Sequence, residues 1–367
     1  METLSPAQIA AFEVVLNKVP VDDRARLHAL KDAAAAAAAA SAPHWDFDQP
    51  GHRAEEALVE VFGTGLTDDH RRALVALWAL EMPARVPAAD MPGAVHELYP
   101  EWIQRLADFL TTAVDPYDRD FWAKDVRISL VLSVPGARTQ MIDLSSPMGP
   151  GQVLRHAREG WGWSVIPAYA SAQAWKPWLE VHTESRELSD FNEAGWDRAW
   201  ATAAEICKRR PEMAGMLGSS WFYDPPLEQI SPRLAYLRLN LLKHGAFMVH
   251  QGPGEIHTQR AATSSPTRAA MIEAGEYTAR SWIVAFPRAA LIKWADGRSF
   301  RIRISRKGGR SGRPPSVRLR LPPSPEMGQG RWRVPVISPG PAYSRRRARS
   351  GDSAGSWGPP PACGAGG

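Results

Sequence analysis

Trp178-Leu179-Glu180-Val181-His182-Thr183-Glu184 alternates apolar and polar side chains with a period of two. Successive side chains of a strand point to opposite faces, so Leu179 and Val181 fall on one side and Glu180, His182 and Glu184 on the other. The stretch reads as a strand with one face for a core and one face carrying titratable groups. Upstream, residues 151–159 read as a short helix and 161–169 as a further strand. Downstream, Asn192 is placed to cap a helix bearing Trp196, Trp200, Ala203 and Cys207 on one face, ended by Pro211. Residues 213–223, 246–250 and 281–286 read as strands, alternating with helices over 231–242, 266–274 and 287–295. Val126, Ile128, Leu130, Leu132 and Val134 alternate with Arg127, Ser129, Val131 and Ser133, which predicts a strand. Pro135-Gly136 then turns it into a returning strand over 139–144. The alternation predicts an α/β fold, with α+β as the variant: a mixed, partly parallel sheet flanked by helices.

The front of the chain is helical. Ser5-Pro6-Ala7-Gln8 has the form of a capping box, and Ile9, Phe12, Leu16 and Val19 follow at helical spacing. The alanine run 33–40 is either a helix extension or a low-complexity linker. Helical character resumes over 54–62, 67–80 and 94–112. The expected organisation is a helical N-terminal section, 1–118, a mixed α/β domain, 119–295, and a disordered tail rich in Arg, Pro and Gly, 296–367. The tail carries 15 of the 44 basic residues and 3 of the 39 acidic ones, so 1–295 holds 29 basic against 36 acidic. The folded part is acidic and the basic balance belongs to the tail. The tail's arginines suit RNA or a membrane surface, but its four aromatics are not interleaved with them as a nucleic-acid platform requires. The other reading is a GC-rich gene translated out of frame.

With 44% hydrophobic and 23% charged residues, the chain has the composition of a soluble globular protein. Its first residues lack a basic and an apolar signal region, and no apolar run reaches the ~18–20 residues of a membrane span. The expectation is a cytoplasmic protein with no membrane partner, and with nucleic acid engaged only through the tail. Cys207 and Cys363 are too few for a disulfide framework, and Cys207 beside Trp200 reads as a buried structural thiol.

Three stretches carry candidate chemistry. The first is Glu180, His182 and Glu184, where flanking carboxylates would raise the His182 pKa and suit it to general acid–base work or to metal ligation. The second is Ser264-Ser265-Pro266-Thr267-Arg268. Ser265 caps a helix there, and the first-turn amides, Thr267 and Arg268 are expected to hold an anionic, phosphate-bearing ligand. The third runs from Gly218-Ser219-Ser220-Trp221-Phe222-Tyr223-Asp224-Pro225 to Ser231-Pro232-Arg233. Ser219 and Ser220 would let a ligand approach, and Asp224 at a strand end is expected to face the same cavity as His182. The motifs HExxH, CxxC, GxxxxGK[ST] and GxGxxG are missing.

The Ser-Ser-Trp-Phe-Tyr-Asp-Pro core, the Glu-Val-His-Thr strand and the later Ser-Pro-Thr-Arg resemble a group of bacterial proteins of no established function, over roughly 120–295. The alternation of helices and strands with a front hairpin loosely resembles the GNAT acyltransferase superfamily. That resemblance implies a small-molecule acyltransferase using a coenzyme A thioester, although the family's Gln/Arg-x-x-Gly-x-Gly/Ala loop is missing. On it, Ser265, Thr267 and Arg268 would be the anion side and Glu180, His182 or Glu184 the base. The alternatives are a non-catalytic binding or scaffold protein that uses the tryptophan-rich middle as core and contact surface, and a metal-dependent enzyme built on His182 and nearby carboxylates.

Overall fold

A computed structural model describes residues 3–307 apart from 45, 113 and 114, and only the helical backbone of 299–307. The first seven helices are α1 Pro6–Asn17, α2 Val21–Ser41, α3 Gln49–Phe62, α4 Asp68–Leu80, α5 Met82–Ala88, α6 Gly93–Thr112 and α7 Arg119–Ser129. The capping box forms as the sequence implies: Ser5 and Gln8 exchange side-chain and backbone hydrogen bonds. The alanine run is helix, the last turns of α2, with Ala34 and Ala38 buried against neighbouring helices. Small side chains there let helices approach closely.

The expected strand over 126–134 is instead α7 as far as Ser129. Asp118 caps it by accepting from the Asp120 and Phe121 amides. Every residue from Asp125 to Ser129 is buried. A helix covered on nearly all sides loses its polar stripe, so a chance alternation mimics a strand. What remains of the hairpin is β1 Ser133–Pro135 and β2 Gln140–Ser146. Next come α8 Pro150–Arg158 and α9 Val165–Ser171. The latter corrects the strand expected over 161–169, whose Trp161 and Trp163 are exposed and have no sheet to join.

The rest of the described residues run β3 Trp178–Thr183, α10 Glu193–Arg209, β4 Gly215–Ser220, α11 Leu227–Ile230, α12 Ala235–Lys243, β5 Phe247–Pro253, α13 Glu255–Thr263, α14 Pro266–Glu273, β6 Arg280–Pro287 and α15 Arg288–Lys307. Helix α13 had no counterpart in the sequence reading, and β4 stops at Ser220, where Trp221–Tyr223 turn as a short 3-10 helix. The six strands among the described residues form one mixed sheet in the order β1-β2-β3-β4-β6-β5. All neighbours are antiparallel except β3 and β4. One apolar core runs from Phe12 of α1 through Trp196 and Trp200 of α10 to Trp294 of α15, and a second surrounds Trp178 under α8 and α9.

The parallel contact is short. Leu179 pairs with Met216 and Glu180 with Leu217. Beyond them Val181–Thr183 pair only with β2, and Gly218–Ser220 only with β6. The sheet therefore opens as a wedge just past Glu180.

Among the described residues no helix is long and apolar enough to cross a membrane. The tail expected from 296 lies largely outside the described residues, but α15 continues past Ala295, and Asp296 and Arg298 pair with Lys208 and Asp197. The truncation point therefore moves to Lys307. A chain ending there should melt within about 4 °C of the full chain, the shift that ~1 kcal/mol makes in a domain of this class. Calorimetric melts of the two chains check it, and a larger drop assigns the missing residues a structural role.

Candidate functional site

The titratable face of β3 meets α7 and the α2–α3 connection. Asp143 of β2 lies opposite Glu180 in the ladder, so the two carboxyls share a face. Arg127 of α7, fully buried, donates from Nη1 to Asp143 Oδ1 at 2.9 Å and from Nε to the Phe47 carbonyl at 2.8 Å. Ser146 donates to Glu180 Oε2 at 2.6 Å. His182 lies against the Phe47 ring, centroids 4.1 Å apart, and the Arg127 guanidinium stands 4.4 Å over the same ring. His182 Nε2 is 3.8 Å from Glu180 Oε2, close but not hydrogen-bonded. Both His182 Nε2 and Arg127 Nη2 are buried without a hydrogen-bond partner. An unpaired donor, an unpaired imidazole nitrogen and a carboxyl thus converge beside the wedge.

Burial sets the protonation of this cluster. It pushes Asp143 up to about 7 against the pull of Arg127, with Glu180 adding to the rise. It also raises Glu180, with Ser146 and Arg127 opposing. His182 is held well below the ordinary histidine value, by burial first and then by Arg127 and Lys124. This corrects the expectation that flanking carboxylates raise it: loss of water and two cations outweigh one carboxyl at 3.8 Å. His182 is therefore a neutral imidazole at neutral pH.

The polar row continues across the wedge. Ser219 of β4 and Ser281 of β6 both donate to Gln251 Oε1 of β5, at 2.5 and 2.7 Å. On the other face Tyr223 folds back over β4. A Cβ on Gly218 would stand 2.4 Å from its Oη, so only glycine admits the ring. Burial first, then Glu180 and Tyr236, raises the Tyr223 pKa, which keeps the hydroxyl protonated.

The other expected residues lie elsewhere. Glu184 is bound by Arg186, which also grips Asp125, and burial loses to this pairing, leaving Glu184 at about 2. Asp224 does not meet His182. It accepts from the Tyr277 hydroxyl, the Arg280 amide and Trp282 Nε1, and so ties the end of β4 to β6. Ser220 accepts from the Phe222 amide. Ser265 caps α14 as expected, and Thr267 is exposed. Arg268 is not free to meet an anion: it is 1% exposed, lies over the Trp221 ring, and donates to Ser231 Oγ, the Ala261 carbonyl and Ser264 Oγ. Asp143, Ser146, Arg127, Tyr223 and Gln251 were not singled out from sequence. Of these, Asp143 carried a visible signal, a carboxyl inside a strand otherwise apolar around it.

The start of α10 does not fit the phosphates of coenzyme A. The connection 184–192 has no glycine and three acids, its one arginine is engaged, and Asn192 fills the first-turn amide of Gly195. Among the described residues no group of three or more His, Cys, Asp or Glu side chains is placed to hold a metal ion, so the metal-dependent alternative lacks a ligand set there. No family model, curated protein or solved structure matches this chain.

Two outcomes follow from this geometry. An acid whose pKa is higher folded than unfolded stabilises the fold below its unfolded value, 3.8 for Asp143, and loses that contribution as pH rises through about 7. Asp143→Asn should therefore flatten the fall in stability between these two values. Urea midpoints across that range check it, and an unchanged slope in the variant speaks against a proton shared at Asp143. Separately, Gly218→Ala should cost about 1–3 kcal/mol by overpacking, and markedly less in a Tyr223→Phe background. Equal costs in the two backgrounds would place the strain elsewhere.

Proposed function

We propose that this chain is a small-molecule enzyme of the acyl-transfer type, with its reacting groups gathered where β3 and β4 part. The observation that carries the reading is the buried Glu180–His182–Arg127 cluster, with an unpartnered nitrogen on each of the two basic side chains. Buried unpaired polar atoms are costly, and they concentrate where a ligand completes them. Glu180, its pKa raised by burial, is the base that takes a proton from an attacking amine or hydroxyl. The new bond forms at the acyl carbon and the bond to the leaving group breaks. Arg127 Nη2 and His182 Nε2–H are the donors for the oxygen on which negative charge develops. Glu180 then gives the same proton to the leaving group, so the protein groups end as they began. The acyl donor is one whose recognition does not need phosphates at α10 or α14.

A second reading rests on the exposed tryptophans. Trp178, Trp196 and Trp200 are core, but Trp161, Trp163 and Trp175 are 41%, 65% and 63% exposed. Such residues favour a contact surface in a binding protein.

The deciding experiment offers the purified chain a panel of acyl donors (simple thioesters, activated esters and a coenzyme A thioester) with amine acceptors, and follows products by mass spectrometry. Glu180→Gln should lower the rate about 10²–10⁴-fold, the usual weight of a general base, with little change in melting temperature. Rates equal to those of the variant on every donor would leave the contact-surface reading.

A further inference from the structure

A hollow lies between α6, α7 and the end of β3, beyond His182. Arg105, Lys124 and Arg186 line it, with Asp125 and Glu184. Three cations thus face two carboxylates. Arg186 is spent, since it grips both acids at 2.6–2.9 Å. The other two cations are underused. Lys124 Nζ has one hydrogen bond, a long one of 3.5 Å to Ser185 Oγ. Arg105 donates from Nη1 to the Arg138 carbonyl at 2.7 Å, while its Nε and Nη2 are buried without a hydrogen-bond partner. Its nearest carboxylate oxygen, on Glu101, is 4.0 Å from Nε. The guanidinium is held in place by the Trp102 ring 4.5 Å below it.

Size restricts the occupant. The hollow has a cavity volume of about 10 Å³, room for about one water-sized body. Its remaining walls are the apolar side chains of Trp102, Leu106, Phe109, Ile128 and Met141. We propose that Arg105 and Lys124 form a binding site for one small monoanionic centre, a halide or a carboxylate oxygen of an organic acid. The excess of one positive charge in the lining sets the valence, and the space sets the size. Burial lowers the pKa of both cations, a cost that a bound anion offsets. This inference does not rest on the catalytic reading, because neither cation is one of its reacting groups, although Lys124 also acts on His182.

Chloride NMR line width tests it with the intact protein. Wild type should broaden the chloride line, and acetate added at constant ionic strength should narrow it again by competition. Lys124→Met and Arg105→Gln should each weaken chloride binding by about tenfold or more, the effect of losing one charge-assisted hydrogen bond. Acetate competition needs no variant, so it stands even where a substitution impairs folding. Broadening that acetate competes for would locate a carboxylate-accepting site, and broadening that only bromide or nitrate relieves would locate a site for free inorganic ions. Line widths that are the same for wild type and both folded variants, or that nothing displaces, would overturn the proposal.

Discussion

Arg127 and Asp143 are buried together, and that pair joins the two halves of the fold. Arg127 belongs to the helical front and Asp143 to the sheet, and the same guanidinium holds the Phe47 carbonyl between α2 and α3. Such a pair adds little stability relative to apolar residues, because both charges give up water, but removing one partner costs about 3–5 kcal/mol. The pair therefore acts as a constraint: no arrangement of the helices on the sheet that separates the two is tolerable. It also sets the local chemistry. One buried cation serves two neighbouring carboxyls, Asp143 and Glu180, so one proton is retained between them as pH approaches neutrality.

The sequence made the sheet legible wherever a strand had one polar face or stood between clear breakers. The strand around Glu180–His182 and the later strands near Val249 and Ile283 lie where their patterns placed them. The failures share a cause. Val126 to Ser129 and Trp161 to Tyr169 alternate without being strands, because one segment is buried on all sides and the other turns at the surface. In neither case does period report on a core-facing side. The candidate site was half legible for a related reason. Glu180 and His182 declare themselves by alternation, but Arg127 was assigned to the wrong element, and Gln251 and Tyr223 reach the site only through sheet order.

Arg268 shows how a local motif underdetermines its use. Ser-Pro-x-Arg at a helix start supplies a cap, free amides and a cation whether or not an anion binds. What decides is the remainder of the fold. Trp221, Ser231 and the end of α13 surround the guanidinium and take up its donors, turning an apparent anion site into a cross-brace between the turn after β4 and two helices. Asp224 is used in the same way from the other side of that turn, with three donors from the β6 region. The most distinctive stretch of the sequence is thus largely devoted to fixing the turn that carries Tyr223.

That fixation explains the wedge. β3 and β4 are each bound along one edge to an antiparallel partner, β2 and β6, over the full length in which they part from one another. The ladder that the two parallel strands share is only two residue pairs long. The turn braced by Asp224 and Arg268 then sets the Tyr223 hydroxyl against Gly218 at the mouth of the gap. A side chain at Gly218 would strike the Tyr223 ring, so this close seat depends on glycine there. The opening is consequently a product of the strand order itself, maintained by residues remote from Glu180, so the groups that meet there are held apart by the sheet rather than by contacts with one another.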